Sequence, residues 1–191
     1  CPSEDHPGTP YLYQNNAFDT PSGKGLLFAA PWRKPAELPD DEYPLILSTV
    51  REVGHYSCRS MTGNCKALAS LADEPGYVQM HPETAGKLGI KDQDIVWVES
   101  RRGKVMSRCS INETINKPAV YMTYQWWIGA CNELTQDNLD PVSKTPETKY
   151  CAARVIRIDE QKEAEALVKE KYAVMRNRLI GLVETAESQI Q

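Results

Sequence analysis

The 191-residue sequence predicts a mainly β fold, a small barrel with flanking helices that is followed by a long C-terminal amphipathic helix. The first observation is a series of short apolar runs at close spacing, which is typical of an all-β barrel. The second is the single brief helix punctuated by Pro and Gly among them, which disfavours a doubly wound sheet of alternating strands and helices. The third is residues 159–191, where apolar side chains recur at three- and four-residue intervals.

Residues 1–42 are predicted to be an irregular arm or linker. The stretch 1–24 is rich in Pro, Gly, Asp and Asn and shows no sustained period, and 31–41 is Pro-rich and acidic. Because the chain begins with Cys1 rather than Met, we expect a piece of a longer polypeptide, whose catalytic centre could lie upstream. The barrel domain is predicted over 43–158, and the terminal helix over 159–191.

Short apolar or alternating runs mark the strands of the predicted barrel. They cover residues 43–47, 77–80, 94–100, 104–111, 119–124 and 152–158. Arg101-Arg102-Gly103 would join the third and fourth strands into a hairpin. Its paired arginines are predicted to be solvated, with a phosphate clamp as the alternative.

Two helical segments are predicted, one just before the second strand and one between the second and third strands. Residues 65–73 show helical spacing and end before Pro75 and Gly76. The segment 82–88 has Pro82 at a first helical position and Gly89 as its stop, with His81 as a surface or capping residue.

The C-terminal helix carries one apolar stripe, which we expect to pack on the barrel or on a partner. Its opposite face mixes acids and bases without the basic bias of a membrane-surface helix. The stripe consists of Ala164, Leu167, Val168, Tyr172, Met175, Leu179, Leu182 and Val183.

Composition excludes several classes of protein. The formal net charge of −4 argues against general nucleic-acid binding, which needs a basic stripe. No apolar run approaches the ~20 residues that cross a bilayer, so no membrane insertion is expected. The six cysteines form no Cys-x-x-Cys pair, which makes structural zinc a weak interpretation. We expect reduced thiols in a cytoplasmic protein.

The loop over residues 48–64 holds the strongest candidate site. It combines Arg51, Arg59 and His55 with several hydroxyl side chains, and Gly54 and Gly63 let the backbone approach a ligand closely. Guanidinium groups bind phosphate in a bidentate way, and hydroxyls and loop amides fill the remaining acceptor sites. The alternative is a polar surface loop whose arginines are solvated.

The order of residues in this loop resembles that of the C-terminal molybdopterin-guanine-dinucleotide-binding domain of molybdenum/tungsten oxidoreductases. A strand is followed by Thr-x-Arg-x-x-x-His and a Ser-Met-Thr turn. Further motifs of the same family are the segment 81–94, in which the helix leads into Leu-Gly-Ile and two aspartates, the Tyr-Gln-Trp-Trp run 124–127 with Asn-x-Leu-Thr at 132–135, and the Asp-Pro-x-Ser-x-x-Pro-x-x-Lys turn 140–149. Residues 51–56 and 124–127 are most similar to formate dehydrogenase alpha subunits of the formate-hydrogenlyase type.

This resemblance implies a six-stranded double-psi β-barrel that binds bis-molybdopterin guanine dinucleotide with Mo or W. It implies oxidation of formate to carbon dioxide, or the reverse, in an enzyme whose iron–sulfur cluster and metal-ligating cysteine or selenocysteine lie upstream. Implied partners are the upstream domains and electron-transfer or hydrogenase subunits. No catalytic or metal-ligating residue is expected here. The implied cofactor-binding residues are Thr49, Arg51, Glu52, His55, Ser57, Tyr124, Asn132 and Lys149.

Two alternatives remain open at this point. One is the same domain of another molybdopterin oxidoreductase, such as a nitrate reductase. The other is a non-catalytic double-psi barrel that serves as an interaction module. The small decarboxylases with this fold need a Gly-Ser pair for self-cleavage, and the sequence contains no Gly-Ser dipeptide.

Overall fold

The computed structural model describes residues 3–71 and 75–190, and the side chains of the C-terminal helix as far as residue 178. The chain divides into two compact units, Cys1–Lys34 and Pro35–Gln191. The described part of the first unit contains one short 3-10 turn, Gln14–Asn16, next to which the rings of Tyr13 and Phe18 stack 4.8 Å apart. Its side chains are mostly exposed, which agrees with an irregular segment.

The second unit is built on six strands that close into a barrel. The strands are β1 Leu45–Val50, β2 Tyr77–Met80, β3 Ile95–Glu99, β4 Lys104–Ile111, β5 Ala119–Thr123 and β6 Cys151–Arg157. Their order around the barrel is β1-β5-β2-β4-β3-β6, with β1/β5 and β2/β4 parallel and the other neighbours antiparallel. The predicted six-stranded double-psi β-barrel is confirmed.

The barrel interior is filled by alternating apolar residues from all six strands. Because side chains on a strand point alternately to its two faces, each strand contributes every second residue to the core. The fully buried members include Leu47, Val78, Met80, Val96, Val98, Cys109, Val120 and Met122. Burial raises the pKa of the interior thiols, to about 12 for Cys109 and Cys131 and about 11 for Cys151, so they stay protonated and pack as small apolar groups.

The hairpin between β3 and β4 is confirmed, but its two arginines are not simply solvated. Arg102 makes a two-pronged ion pair with Glu37, at 2.7 and 2.9 Å, and Arg101 pairs with Asp40. Glu37 also accepts a hydrogen bond from the Ala152 amide at 2.6 Å. The hydrogen bond from Arg102 lowers the pKa of Glu37. These contacts tie residues 35–42 to the barrel, so the compact unit begins earlier than the predicted domain start at residue 43.

Two short helices precede β3. Helix α1 covers only Lys66–Ala69 and ends at Ser70, so it is shorter than the predicted segment 65–73, of which residues 72–73 lie outside the described part. Helix α2 covers Pro82–Leu88, with Pro82 in its first turn and Gly89 in the left-handed conformation at its end, as predicted. The ring of His81 accepts a hydrogen bond from the Glu83 amide, which makes it the predicted capping residue.

Helix α3, Gln161–Ile190, packs its first turns on the outside of the barrel. Ala164 and Val168 are buried against Ile95, Met106 and Ile128, and Tyr172 and Met175 are partly buried beside them. Leu167 is more exposed than the predicted stripe requires. The predicted stripe residues Leu179, Leu182 and Val183 lie outside the side chains that are described. None of the helices in the described parts of the chain is long and apolar enough to cross a membrane.

Candidate functional site

A cavity of about 390 Å³ opens at one rim of the barrel, where β1 and β5 end. Because these strands are parallel and Val50 pairs with Thr123, the residues that follow them leave the barrel side by side. The antiparallel strand β6 begins at the same rim, since Cys151 pairs with Leu47. The lining residues are Thr49, Arg51, Tyr124, Asn132, Thr148 and Lys149.

Two positive charges converge on this cavity, and hydrogen bonds hold both of them. Arg51 donates through Nε to the Tyr124 hydroxyl at 2.6 Å, and this bond raises the pKa of the guanidinium further. Lys149 donates through Nζ to the Thr49 carbonyl at 2.6 Å and lies 6.0 Å from the centre of the Tyr124 ring. Two oriented cations beside a phenol ring suit an anionic ligand that carries many oxygen atoms and a flat ring.

The structure brings together five of the eight predicted site residues. Thr49, Arg51, Tyr124, Asn132 and Lys149 line the same cavity. Thr148 also lines it and was not predicted. Its position directly before Lys149 in the proline-rich turn was the signal that could have identified it.

The other three predicted residues lie on the loop after β1 and do not line this cavity. His55 is buried, its Nδ1 lies 3.0 Å from the Thr62 hydroxyl, and its ring meets Trp126 edge-on at 5.5 Å. Ser57 is half-buried with a left-handed φ of 43°. Their role as cofactor ligands, like that of Glu52, stays a prediction.

Glu52 is half-buried beneath the loop, with Oε2 fully buried and outside hydrogen-bond geometry with any described residue. Burial raises the pKa of this carboxyl. Trp126 lies beside it and opposes the shift, but its indole N–H does not reach hydrogen-bond geometry. His55 and Arg59 oppose the shift more weakly.

Sequence reasoning missed the structural role of Gln125 and Arg59. Gln125 is buried behind the loop and binds its backbone. The guanidinium of Arg59 stacks 4.0 Å from the Trp126 ring and donates through Nε to the Gln125 carbonyl. Both residues stand inside the motifs that carried the resemblance, but nothing in the pattern distinguished a loop tether from a ligand.

The described residues beside the cavity form no metal site. In the parts of the chain that the structure describes, no group of three or more His, Cys, Asp and Glu side chains is placed to hold a metal ion. The cavity therefore offers cations, hydroxyls and an amide to a ligand, and these groups fit the phosphate and ring oxygens of a dinucleotide.

Comparison with known proteins identifies this arrangement. Residues 45–152, which include strands β1 to β5, the first two residues of β6 and the whole cavity lining, match the model of the molydopterin dinucleotide binding domain. The chain belongs to this family. The matched region contains every predicted site residue, and the cationic cavity is the feature of the barrel that suits a dinucleotide of this kind.

The relatives of this dinucleotide-binding domain are much longer than the chain. The chain is 56% identical over 177 residues to formate dehydrogenase H of Escherichia coli, and the aligned region covers 93% of this chain and 25% of that protein. The chain is 37% identical to the assimilatory nitrate reductase catalytic subunit of Bacillus subtilis, and the aligned region covers 83% of this chain and 22% of that protein. Among solved structures, acetylene hydratase from Pelobacter acetylenicus has the same fold, with a TM-score of 0.60 and 21% identity over 73% of this chain and 24% of that one. The chain thus spans about a quarter of the length of the curated relatives.

Proposed function

We propose that this chain is the cofactor-binding domain of a formate dehydrogenase and holds bis-molybdopterin guanine dinucleotide with Mo or W. The observation that carries the proposal is the cavity in which Arg51 and Lys149 are oriented by Tyr124 and Thr49. The family and the 56% identity to a formate dehydrogenase support the choice of cofactor and reaction. When bound, the cofactor supplies the two-electron redox chemistry by which formate and carbon dioxide are interconverted.

Four residues of the cavity have roles that follow from their chemistry. Arg51 would bind cofactor oxygens through its terminal amino groups, since Nε is already held by Tyr124. Lys149 would act as a point charge from the opposite wall, and Asn132 would supply an amide for hydrogen bonds to a ring edge. The Tyr124 ring offers a flat surface for stacking. This chain therefore binds and orients, and the reacting atoms are held elsewhere in the enzyme.

The rest of the enzyme supplies what the cavity does not. We infer that the iron–sulfur cluster and the cysteine or selenocysteine ligand of the metal belong to other domains of the same polypeptide. Electron-transfer or hydrogenase subunits are the proposed partners, and the cytoplasm is the proposed location.

The test is purification of the full-length enzyme that contains this chain. We expect stoichiometric pterin with Mo or W, and formate-dependent reduction of a viologen dye. The nitrate reductase relative favours a second candidate, so nitrate reduction by the reduced dye is measured on the same preparation. Nitrate turnover without formate turnover would replace the proposed reaction but keep the cofactor. Absence of pterin from an enzyme with a full complement of its other centres would contradict both.

Nucleotide binding distinguishes a dinucleotide-binding domain from a non-catalytic interaction module. The cofactor-free enzyme is titrated with GDP and, as a matched control, with free guanine. A dinucleotide site that reads phosphate through Arg51 and Lys149 should bind GDP more tightly, and the difference should shrink as salt rises. Equal or undetectable binding of the two would favour an interaction module.

A further inference from the structure

The loop after β1, residues 51–64, is held in place by very little buried surface. His55 is its only buried residue, and the others are half-buried or exposed. Two of its non-glycine residues, Ser57 at φ 43° and Arg59 at φ 65°, adopt the left-handed conformation that L-residues disfavour. Such a conformation persists only where the surroundings impose it. The constraint on this loop must therefore come largely from polar contacts with the barrel.

Gln125 provides the densest set of those contacts. Its side chain is 2% exposed. Its Oε1 accepts a hydrogen bond from the Glu52 amide at 2.5 Å, and its Nε2 donates to the His55 carbonyl at 2.9 Å. Its own carbonyl accepts from Nε of Arg59 at 3.1 Å. One residue thus binds the loop near its start, its middle and its second arginine.

These contacts are continuous with the cavity. Gln125 directly follows Tyr124, and Glu52 directly follows Arg51. The bond from Arg51 to the Tyr124 hydroxyl and the bond from the Glu52 amide to Gln125 therefore join the same two segments at adjacent positions. If the second bond is lost, the backbone that carries Arg51 is released on one side.

We propose that Gln125 is a positioning residue: it clamps the loop and thereby holds Arg51 in the orientation that binds the dinucleotide. The proposal rests on the proposed function for its ligand, and on the hydrogen bonds of Gln125 alone for its mechanism. Gln125 does not line the cavity, so it acts through Arg51 rather than by touching the cofactor. Pre-ordering the loop means that less conformational freedom is lost when the cofactor binds.

The test variant is Gln125→Met in the full-length enzyme. Methionine has a similar length and stays apolar, so the buried volume is kept while both side-chain hydrogen bonds are removed. We expect faster hydrogen exchange at the amides of residues 52–64 in the cofactor-free enzyme. We also expect release of the cofactor to be roughly tenfold faster, the effect of losing two neutral hydrogen bonds.

Gln161→Met is the matched control because Gln161 makes the same clamp elsewhere. Its Oε1 accepts from the Ile95 amide at 2.7 Å, and its Nε2 donates to the Ile95 carbonyl at 2.9 Å, at the start of α3. This variant should loosen the helix and leave both the loop and cofactor release unchanged. If Gln125→Met does not fold, Gln125→Asn is the second variant: it keeps a neutral amide but is one methylene shorter, so it cannot reach both the Glu52 amide and the His55 carbonyl and should show the same changes.

A double-mutant cycle with Arg51→Lys separates positioning from general stability. If Gln125 acts through Arg51, Gln125→Met should change cofactor release by less than about threefold once Arg51 is already lysine. Fully additive effects would overturn the proposal, as would unchanged exchange in the loop, or faster exchange with normal cofactor retention. Failure of the proposed function would look different. The wild-type enzyme would then carry no cofactor, while loop exchange would still respond to Gln125→Met.

Discussion

Arg51→Lys is the most informative change at the cavity because it keeps the positive charge and removes the planar set of hydrogen-bond donors of the guanidinium group. Arginine uses Nε to hold the Tyr124 hydroxyl and keeps two terminal amino groups for a ligand. Lysine has one ammonium group, which cannot keep the tyrosine and offer a planar pair of donors at once. Lys149 is held separately by Thr49, so the cavity would retain its second charge.

We expect cofactor release from the Arg51→Lys enzyme to be faster by tenfold or more, which is the order of the effect of one charge-assisted hydrogen bond. The melting temperature of the cofactor-free enzyme should not change, because Arg51 is exposed and adds nothing to the barrel core. The assay follows the fluorescence of released pterin after dilution, with bound metal measured on the same samples.

Two further variants show whether the effect is specific to Arg51 and how much of it depends on the Tyr124 hydroxyl. Arg157→Lys makes the same chemical change at an exposed arginine at the far end of β6, and should not affect release. Tyr124→Phe leaves the guanidinium intact but removes its hydrogen-bond partner, and should accelerate release less than Arg51→Lys does. Full cofactor occupancy with an unchanged release rate in Arg51→Lys would refute the assignment of Arg51 to the site.

Two other predictions concern the loop and the barrel. Burial raises the pKa of Glu52 in the folded chain, so its charged form is disfavoured and stability falls as pH rises through that pKa. Glu52→Gln should therefore raise the melting temperature at pH 8 by on the order of 2 °C, and should leave it unchanged near pH 4, about where the carboxyl of the unfolded chain protonates. If calorimetry at pH 8 gives a lower melting temperature for Glu52→Gln than for the wild type, the Glu52 carboxylate stabilises the fold and the prediction is wrong. Gly129→Ala should lower the free energy of unfolding by roughly 2–4 kcal/mol, because φ is +78° and the new Cβ would lie 2.6 Å from the Met106 carbonyl oxygen. Gly86→Ala in α2, with open space around its Cβ, is the control in denaturant titration and should be neutral or stabilising.

The elements that could be predicted were those with local signals. Short apolar or partly alternating runs located the six strands, although β1 begins and ends later than the predicted 43–47, and Pro82, Gly89 and the ring of His81 set the ends of α2. The closed order of the strands could not be read in this way, because the pairing of β1 with β5 joins residues that are far apart in the sequence. The double-psi topology was available only through resemblance to a family.

Contacts between polar residues that are far apart in the sequence could not be predicted either. The hairpin arginines have the local appearance of solvated groups, yet Arg102 binds Glu37, which lies 65 residues earlier. Gln125 binds Glu52 at a separation of 73 residues. No local pattern pairs either the arginine or the glutamine with its distant partner, so only the closed barrel reveals that they meet.

The placement of Glu52 was, in contrast, open to a physical argument from the sequence alone. Residues 49–52 leave a strand, and extended backbone turns successive side chains to opposite faces. Thr49 and Arg51 therefore share a face and both line the cavity, and Glu52 faces the other way, under the loop, where burial raises its pKa. Grouping neighbouring motif residues as one ligand set ignores this alternation. Residues two apart at a strand end are the better first candidates for one cavity, and the residue next to a lining residue is a candidate for its support, as Glu52 beside Arg51 and Gln125 beside Tyr124 illustrate.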